Sequence, residues 1–305
     1  MNTKNLIDPV ALIANFLAEA RSSGLDHFVT KGALANPNDF LSLQDFQSML
    51  NNPLLTPEWV QVKLSGKYYN FEGDLLCKAV QQHQLRFIDK TRLNELIEKG
   101  ASVVLEGIDL QDPRINSICA ALERQYPCVL SNCVGFFSQL GSEAYAGHKD
   151  SDDVVVAQLS GRKKWRIYKR QSRQFVGSFP MSEEQMAPLV CEVVLEPGDI
   201  MFVRSSTPHR VETVGSHSLH LAFDLWDKTP SMTELMERAL ESYKIEPAAA
   251  YSPVGEVASA ISRAVVQVGA SDAVSQMAIQ RAADARSFRL RTGNTRSLTA
   301  FNKWK

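Results

Sequence analysis

AYAGHKDSDDVVVAQLSGRKKWRIY, Ala144 to Tyr168, opens with a His-X-Asp pair, His148 and Asp150, and continues through two expected strands, Val154 to Leu159 and Lys163 to Lys169. Successive strand side chains point to opposite faces, so residues two apart project the same way, with Cα atoms roughly 7 Å apart. In a strand expected over Tyr145 to Asp150, His148 and Asp150 can therefore reach one ion. A third ligand has to come from elsewhere. The candidate is His209 in EPGDIMFVRSSTPHRVET, where Pro197-Gly198-Asp199 reads as a turn, Ile200 to Val203 as a strand and Pro208-His209 as the start of another. Two imidazoles and one carboxylate leave three positions of an octahedral ion open, the arrangement used by non-haem Fe(II) oxygenases. A closed structural zinc site takes four ligands, often thiolates. The sequence thus favours Fe(II) held by His148, Asp150 and His209.

Beyond Pro127 the chain is strand-rich. Cys128 to Phe137, Tyr145 to Asp150, Val154 to Leu159, Lys163 to Lys169, Val190 to Leu195, Ile200 to Val203, His209 to Val214 and His217 to Trp226 are separated by turn signals. Short strands at this spacing predict a double-stranded β-helix, a cupin-like jelly roll, with the three metal residues at strand ends around one mouth. The class is α+β, because helices flank the barrel on both sides.

On the N-terminal side, Asp8-Pro9 starts a helix with Ile13, Phe16, Leu17 and Ala20 on one face. His27 to Lys31 reads as a strand, and Ser42 caps a short helix carrying Phe46 and Leu50 inward. Trp59 to Leu64 and Lys67 to Phe71 read as strands joined at Ser65-Gly66, followed by a helix with Cys77 and Val80. Asp89 caps a helix ending at Gly100, Ser102 to Leu105 is a buried strand, and Asp112-Pro113 starts a helix bearing Ile115, Ile118, Cys119 and Leu122. After Trp226 the pattern turns helical: one helix from Pro230-Ser231, one after Pro253 ended by Gly269, and one from Ser271 to Arg286. The expected organisation is an N-terminal extension over 1–88 packing on the barrel, a catalytic core over 89–226 and a helical region over 227–305.

Composition bounds the function. The 305 residues are 44% hydrophobic and 22% charged, an ordinary globular balance, and the formal net charge of −1 argues against a generally nucleic-acid-binding surface. The five cysteines are odd in number and form no Cys-X-X-Cys pair, so reduced thiols are expected. No stretch approaches the apolar length of a membrane span, and the N-terminus lacks a signal-peptide pattern, which makes the cytoplasm the expected location. The segment from Arg281 carries seven basic residues against Asp284 alone, a tail that can meet an anionic partner or simply be solvated.

His209 follows Asp150 by 59 positions, and the strand Gly-Arg-Lys-Lys-Trp-Arg-Ile-Tyr lies between them. In this order the features resemble the JmjC-type 2-oxoglutarate oxygenases, most closely their ribosomal-oxygenase-like branch, over roughly Phe28 to Trp226. A lone His-X-Asp is common by chance; the ordered set is specific. Lys163 shares a strand face with Trp165 and Ile167, and a lysine inside the barrel needs an anion. The resemblance supplies one, the distal carboxylate of 2-oxoglutarate. It also implies a cosubstrate role for Asn132, although Val134 stands where the family places Tyr. Ser218 can donate a hydroxyl to the same carboxylate, whereas His220 is left outside the metal set. Asp152 and Asp153 read as a solvated turn or as groups that orient His148, and Tyr145 as lining or packing.

The resemblance implies an Fe(II)- and 2-oxoglutarate-dependent dioxygenase that consumes O2 and releases succinate and CO2. C-hydroxylation of a peptide or protein side chain or a small metabolite is expected, with a homodimer formed through the C-terminal helices. Hydroxylation of tRNA or other RNA and N-demethylation would use the same core. A non-catalytic metal-binding cupin module is the rival from another class, and it predicts a solvent-facing Lys163.

Overall fold

The computed structural model describes residues 8–64, 67–69, 76–77, 87–139, 146–172, 180–230, 259, 262, 266 and 273–287. In chain order its elements are α1 (Pro9–Ser22), β1 (His27–Thr30), α2 (Leu43–Leu50), β2 (Val60–Leu64), β3 (Lys67–Tyr69), β4 (Leu76–Cys77), β5 (Phe87–Ile88) and α3 (Lys90–Glu98). They continue with β6 (Ser102–Leu105), α4 (Ile108–Gln111), α5 (Pro113–Gln125), β7 (Val129–Gln139), β8 (Asp153–Tyr168), α6 (Glu183–Met186), β9 (Leu189–Leu195), β10 (Ile200–Val203), β11 (His209–Asp227) and α7 (Ala273–Ser287). Two compact units emerge, one of residues 1–122 and 131–225, the other of 123–130 and 226–305.

The helices start where local chemistry directs. Asp8 accepts from the Val10 amide ahead of Pro9, and Ser42 and Asp45 form a reciprocal capping box. α1 buries the expected Ile13, Phe16, Leu17 and Ala20. Among the described residues no helix is long and apolar enough to cross a membrane, and Cys128, Cys133 and Cys191 are free thiols.

The main sheet runs β1-β10-β8-β11-β7-β6-β2-β3, with β9 also on β8; its strands pair antiparallel, as in a jelly roll. Two strands do most of the wrapping. The expected pair Val154 to Leu159 and Lys163 to Lys169 is one strand of 16 residues, β8. His209 to Val214 and His217 to Trp226 likewise merge into the 19-residue β11. The reason is visible at Gly161 and Gly215. Both take positive φ, and the register between β8 and β11 shifts between Val214 and Ser218, so the chain turns a corner while pairing resumes beyond it. The corner returns β8 to its own level: Ser206 N donates to Asp150 O at 2.8 Å, and Ser206 O accepts from Gln171 N at 3.0 Å. Residues just before and just after β8 therefore meet at one mouth.

Gly161 is required at that corner. It has φ +62°, and a Cβ there would lie 1.9 Å from the His217 carbonyl oxygen. Gly161→Ala is expected to cost about 3 kcal/mol or more, read as a lower urea midpoint. An unchanged midpoint would contradict this account of the bend.

Several expectations are corrected. Tyr145 to Asp150 is not a strand over its described part; a single bridge joins His148 to His209. There Gly147 is pressed by Met186, whose Cε would lie 2.5 Å from an added Cβ, so the segment is pinned by α6 and not by a ladder. Cys77 lies in β4, paired with Phe87, and not in a helix. The short α4 and α6 were not foreseen. The turn at Ser65-Gly66, Val80, Tyr145, most of the first two helices expected after Trp226 and the end of the basic tail lie outside the described residues; residues 259, 262 and 266 are helical. The third expected helix is α7.

Candidate active site

The mouth of the barrel gathers His148 and Asp150 from the segment before β8 and His209 from the first position of β11. Their ligating atoms all lie within 4.8 Å of one another. Asp150 Oδ1 is 3.7 Å from His148 Nε2, and Asp150 Oδ2 is 3.6 Å from His209 Nε2. These gaps are too long for hydrogen bonds. Three donors held about 2 Å from one ion at right angles would stand about 3 Å apart, so a small inward movement suffices.

The tautomers are fixed by backbone. His148 Nδ1 lies 2.8 Å from Ala146 O and His209 Nδ1 3.0 Å from Thr207 O. A carbonyl only accepts, so each Nδ1 carries the proton and each Nε2 offers its lone pair to the centre. Burial, and then the adjacent His148, lower the His209 pKa to about 4, which keeps that Nε2 unprotonated at neutral pH. The donor set therefore fits a divalent metal with open positions. Asp153 supports the mouth from outside: its carboxylate accepts from Ser205 N at 3.0 Å and from the Arg21 guanidinium at 2.9 Å.

Lys163 lies on the inner face with Trp165 and Ile167, as alternation required, and is 1% exposed. Its Nζ donates to Ser138 Oγ at 3.0 Å and, among the described residues, meets no carboxylate. Burial lowers its pKa to about 7. The rings of the inner face link this ammonium to the mouth. Trp165 lies 5.4 Å from His209 and 5.9 Å from His220, and His220 stacks on Phe136 at 4.8 Å. His220 stays outside the metal cluster, and burial, followed by the nearby Lys163 charge, holds its pKa well below the usual range. Among the described residues, Trp165 Nε1, His220 Nδ1 and Thr213 Oγ1 are buried without a hydrogen-bond partner. Such polar atoms, around an ammonium with no counterion among the described residues, fit a small anionic organic molecule. The wall is otherwise apolar, with Val154, Val156, Met201 and Val203 in the same cluster as Trp165 and Ile167.

Asn132 is also buried, and its amide donates to Asp224 Oδ2 at 3.2 Å while its own Oδ1 meets no partner among the described residues. Burial, and then Asp150, raise the Asp224 pKa to about 8, so it is largely protonated at neutral pH. Ser218 lies opposite Gly161 and accepts from Gln158 Nε2 at 2.9 Å. The β11 hydroxyl directly across from Lys163 is that of Thr213. Sequence reasoning missed Ser138, Thr213 and Asp224. Ser138 had a signal, since it lies on one face of β7 with Asn132 and Phe136; Thr213 needed the register.

An antiparallel jelly roll with an open two-histidine, one-carboxylate centre above a buried lysine defines the class. Residues 104–235 match the JmjC domain family. Ribosomal oxygenase 1 of Rattus norvegicus is 29% identical over 138 residues, 44% of this chain and 23% of that protein. Bifunctional lysine-specific demethylase and histidyl-hydroxylase NO66 of Aedes aegypti is 28% identical over 136 residues, 43% of this chain and 21% of that protein. The chain thus matches only about a fifth of the length of these curated relatives. Among solved structures, the ribosomal oxygenase YcfD of Escherichia coli, in complex with cobalt and succinic acid, aligns with a TM-score of 0.51 at 13% identity, covering 82% of this chain and 65% of that one. At that identity the likeness is one of fold.

Proposed function

We propose that this protein is an Fe(II)- and 2-oxoglutarate-dependent dioxygenase that C-hydroxylates a peptide or protein side chain or a small metabolite. The observation that carries the reading is the pairing of the His148, Asp150 and His209 cluster with the buried Lys163 ammonium on the same inner face. Fe(II) with 2-oxoglutarate and O2 supplies the oxidation there, in which the keto acid becomes succinate and CO2 and a substrate C–H bond gains oxygen. The protein contributes position. Its backbone carbonyls hold both imidazoles Nε2-inward, Asp150 supplies the charge, and Lys163 with Ser138 and Thr213 takes the far carboxylate. Asn132 and Ser218 belong to the same cosubstrate region, Asn132 on the mouth side and Ser218 at the closed corner. The apolar wall keeps water from the reacting atoms.

The relatives' names, histidyl-hydroxylase, lysine-specific demethylase and ribosomal oxygenase, make a protein side chain the first substrate class to test. The reading extends to a cytoplasmic homodimer assembled through the helices of 227–305, with 89–226 as catalytic core and 1–88 as its extension. The reconstituted enzyme is expected to release succinate from 2-oxoglutarate, faster with a peptide library containing its substrate. No succinate above the metal-free blank would leave a metal-binding module without oxygenase activity.

A further inference from the structure

A cavity lies against β7, and none of His148, Asp150 and His209 lines it. Its volume is about 600 Å³, within the range of small-molecule sites. α2 contributes Leu43, Phe46 and Leu50, α3 contributes Leu93 and Ile97, and Phe137 from β7 forms the floor. Phe137 is adjacent in sequence to Ser138, so the strand presents Ser138 to Lys163 on one face and Phe137 to this groove on the other. The polar lining is asymmetric. Lys90 is the one charged residue among the described lining residues, and no carboxylate is present there. Its Nζ donates to Leu50 O at the end of α2, which occupies one of its three donors. His217 is already held: its Nε2 contacts Ser160 Oγ at 2.8 Å and its Nδ1 Ser216 Oγ at 3.0 Å.

An apolar trough with one cation and no anion is complementary to a molecule that is mostly hydrocarbon with a negative head. We propose that this groove is a binding site for a small amphipathic carboxylate, its chain between α2 and α3 and its head on Lys90. The surface helps a ligand to enter, since Leu43 is 37% exposed and Gln47 and Asn94 sit at the rim. Desolvation of Lys90, which lowers its pKa, adds to the advantage of an anionic neighbour.

The test is calorimetric titration of the full-length protein with dodecanoate below its micellar range. One saturable site is expected. Lys90→Gln should weaken it about fivefold, the size of a half-exposed ion pair. Gln47→Trp, an exposed position whose larger side chain fills the groove, should remove it without changing the unfolding midpoint, and this variant decides the matter if Lys90→Gln fails to fold. Lys163→Gln should leave it unchanged. Binding lost in Lys163→Gln but kept in Lys90→Gln would place the carboxylate inside the barrel and overturn the proposal. So would equal affinity for an uncharged dodecyl glycoside, the absence of saturable binding, or self-association abolished by Gln47→Trp, which would make the groove a contact between copies of the chain.

Discussion

Lys163→Met is expected to abolish 2-oxoglutarate turnover while raising the melting temperature of the metal-free protein. The two effects have one cause. Lys163 is 1% exposed, its Nζ has among the described residues only the neutral Ser138 hydroxyl, and its pKa falls to about 7. A buried ammonium without an anion costs folding energy, and its removal by an apolar side chain of similar length is stabilising by about 2 kcal/mol, or about 5 °C. Ser138 is not orphaned, because its Oγ also contacts Ser102 Oγ at 3.1 Å. The sign with pH follows. Between about pH 7 and 10.5 the unfolded lysine keeps its proton and the folded one loses it, so wild-type stability should rise across that window as pH rises. Lys163→Met should lack that part of the slope. In the same window keto-acid affinity should fall, since the neutral amine no longer attracts a carboxylate. Turnover retained in Lys163→Met would remove the lysine from cosubstrate binding.

Asp150→Ala is expected to lose bound iron while keeping the fold. Asp150 is about a third exposed and its side chain faces the two Nε2 atoms, so its removal leaves no cavity. Loss of an anionic ligand should weaken metal affinity by more than about 100-fold, beyond the usual cost of disturbing a ligand's supporting groups. Iron measured after anaerobic reconstitution and gel filtration should fall close to background, with succinate formation, while the circular dichroism spectrum is unchanged. His209→Ala should lose iron too, but with some loss of stability, because that buried ring packs against Trp165. Full iron content in Asp150→Ala would show that the cluster is not the metal centre.

The cluster of His148, Asp150 and His209 was legible because ligand chemistry restricts residue type and because two of the three are neighbours in sequence. Lys163 was legible for a different reason: strict alternation with Trp165 and Ile167 left it no route to solvent. The limits were geometric. Gly161 reads as a break in a strand, yet here its positive φ carries one strand round a corner, so two strands were expected where there is one. Thr213 and Ser138 come from strands distant in sequence and reach Lys163 only through the β8–β11 register and the inner face of β7. Composition says nothing about either. His148 lies in a segment expected to be a strand, but two backbone bonds with His209 and the press of Met186 on Gly147 hold it without a ladder. Asp153 next to the ligands invited a role on His148, whereas its carboxylate ties Ser205 and Arg21.

The most direct test of the central claim is anaerobic titration of 2-oxoglutarate into the Fe(II)-loaded full-length protein, followed by the weak visible charge-transfer band of a chelated keto acid. The account predicts a saturable band in the wild type that is absent in Lys163→Ala and in Asp150→Ala. A wild-type protein that holds Fe(II) but develops no band at millimolar keto acid would contradict it.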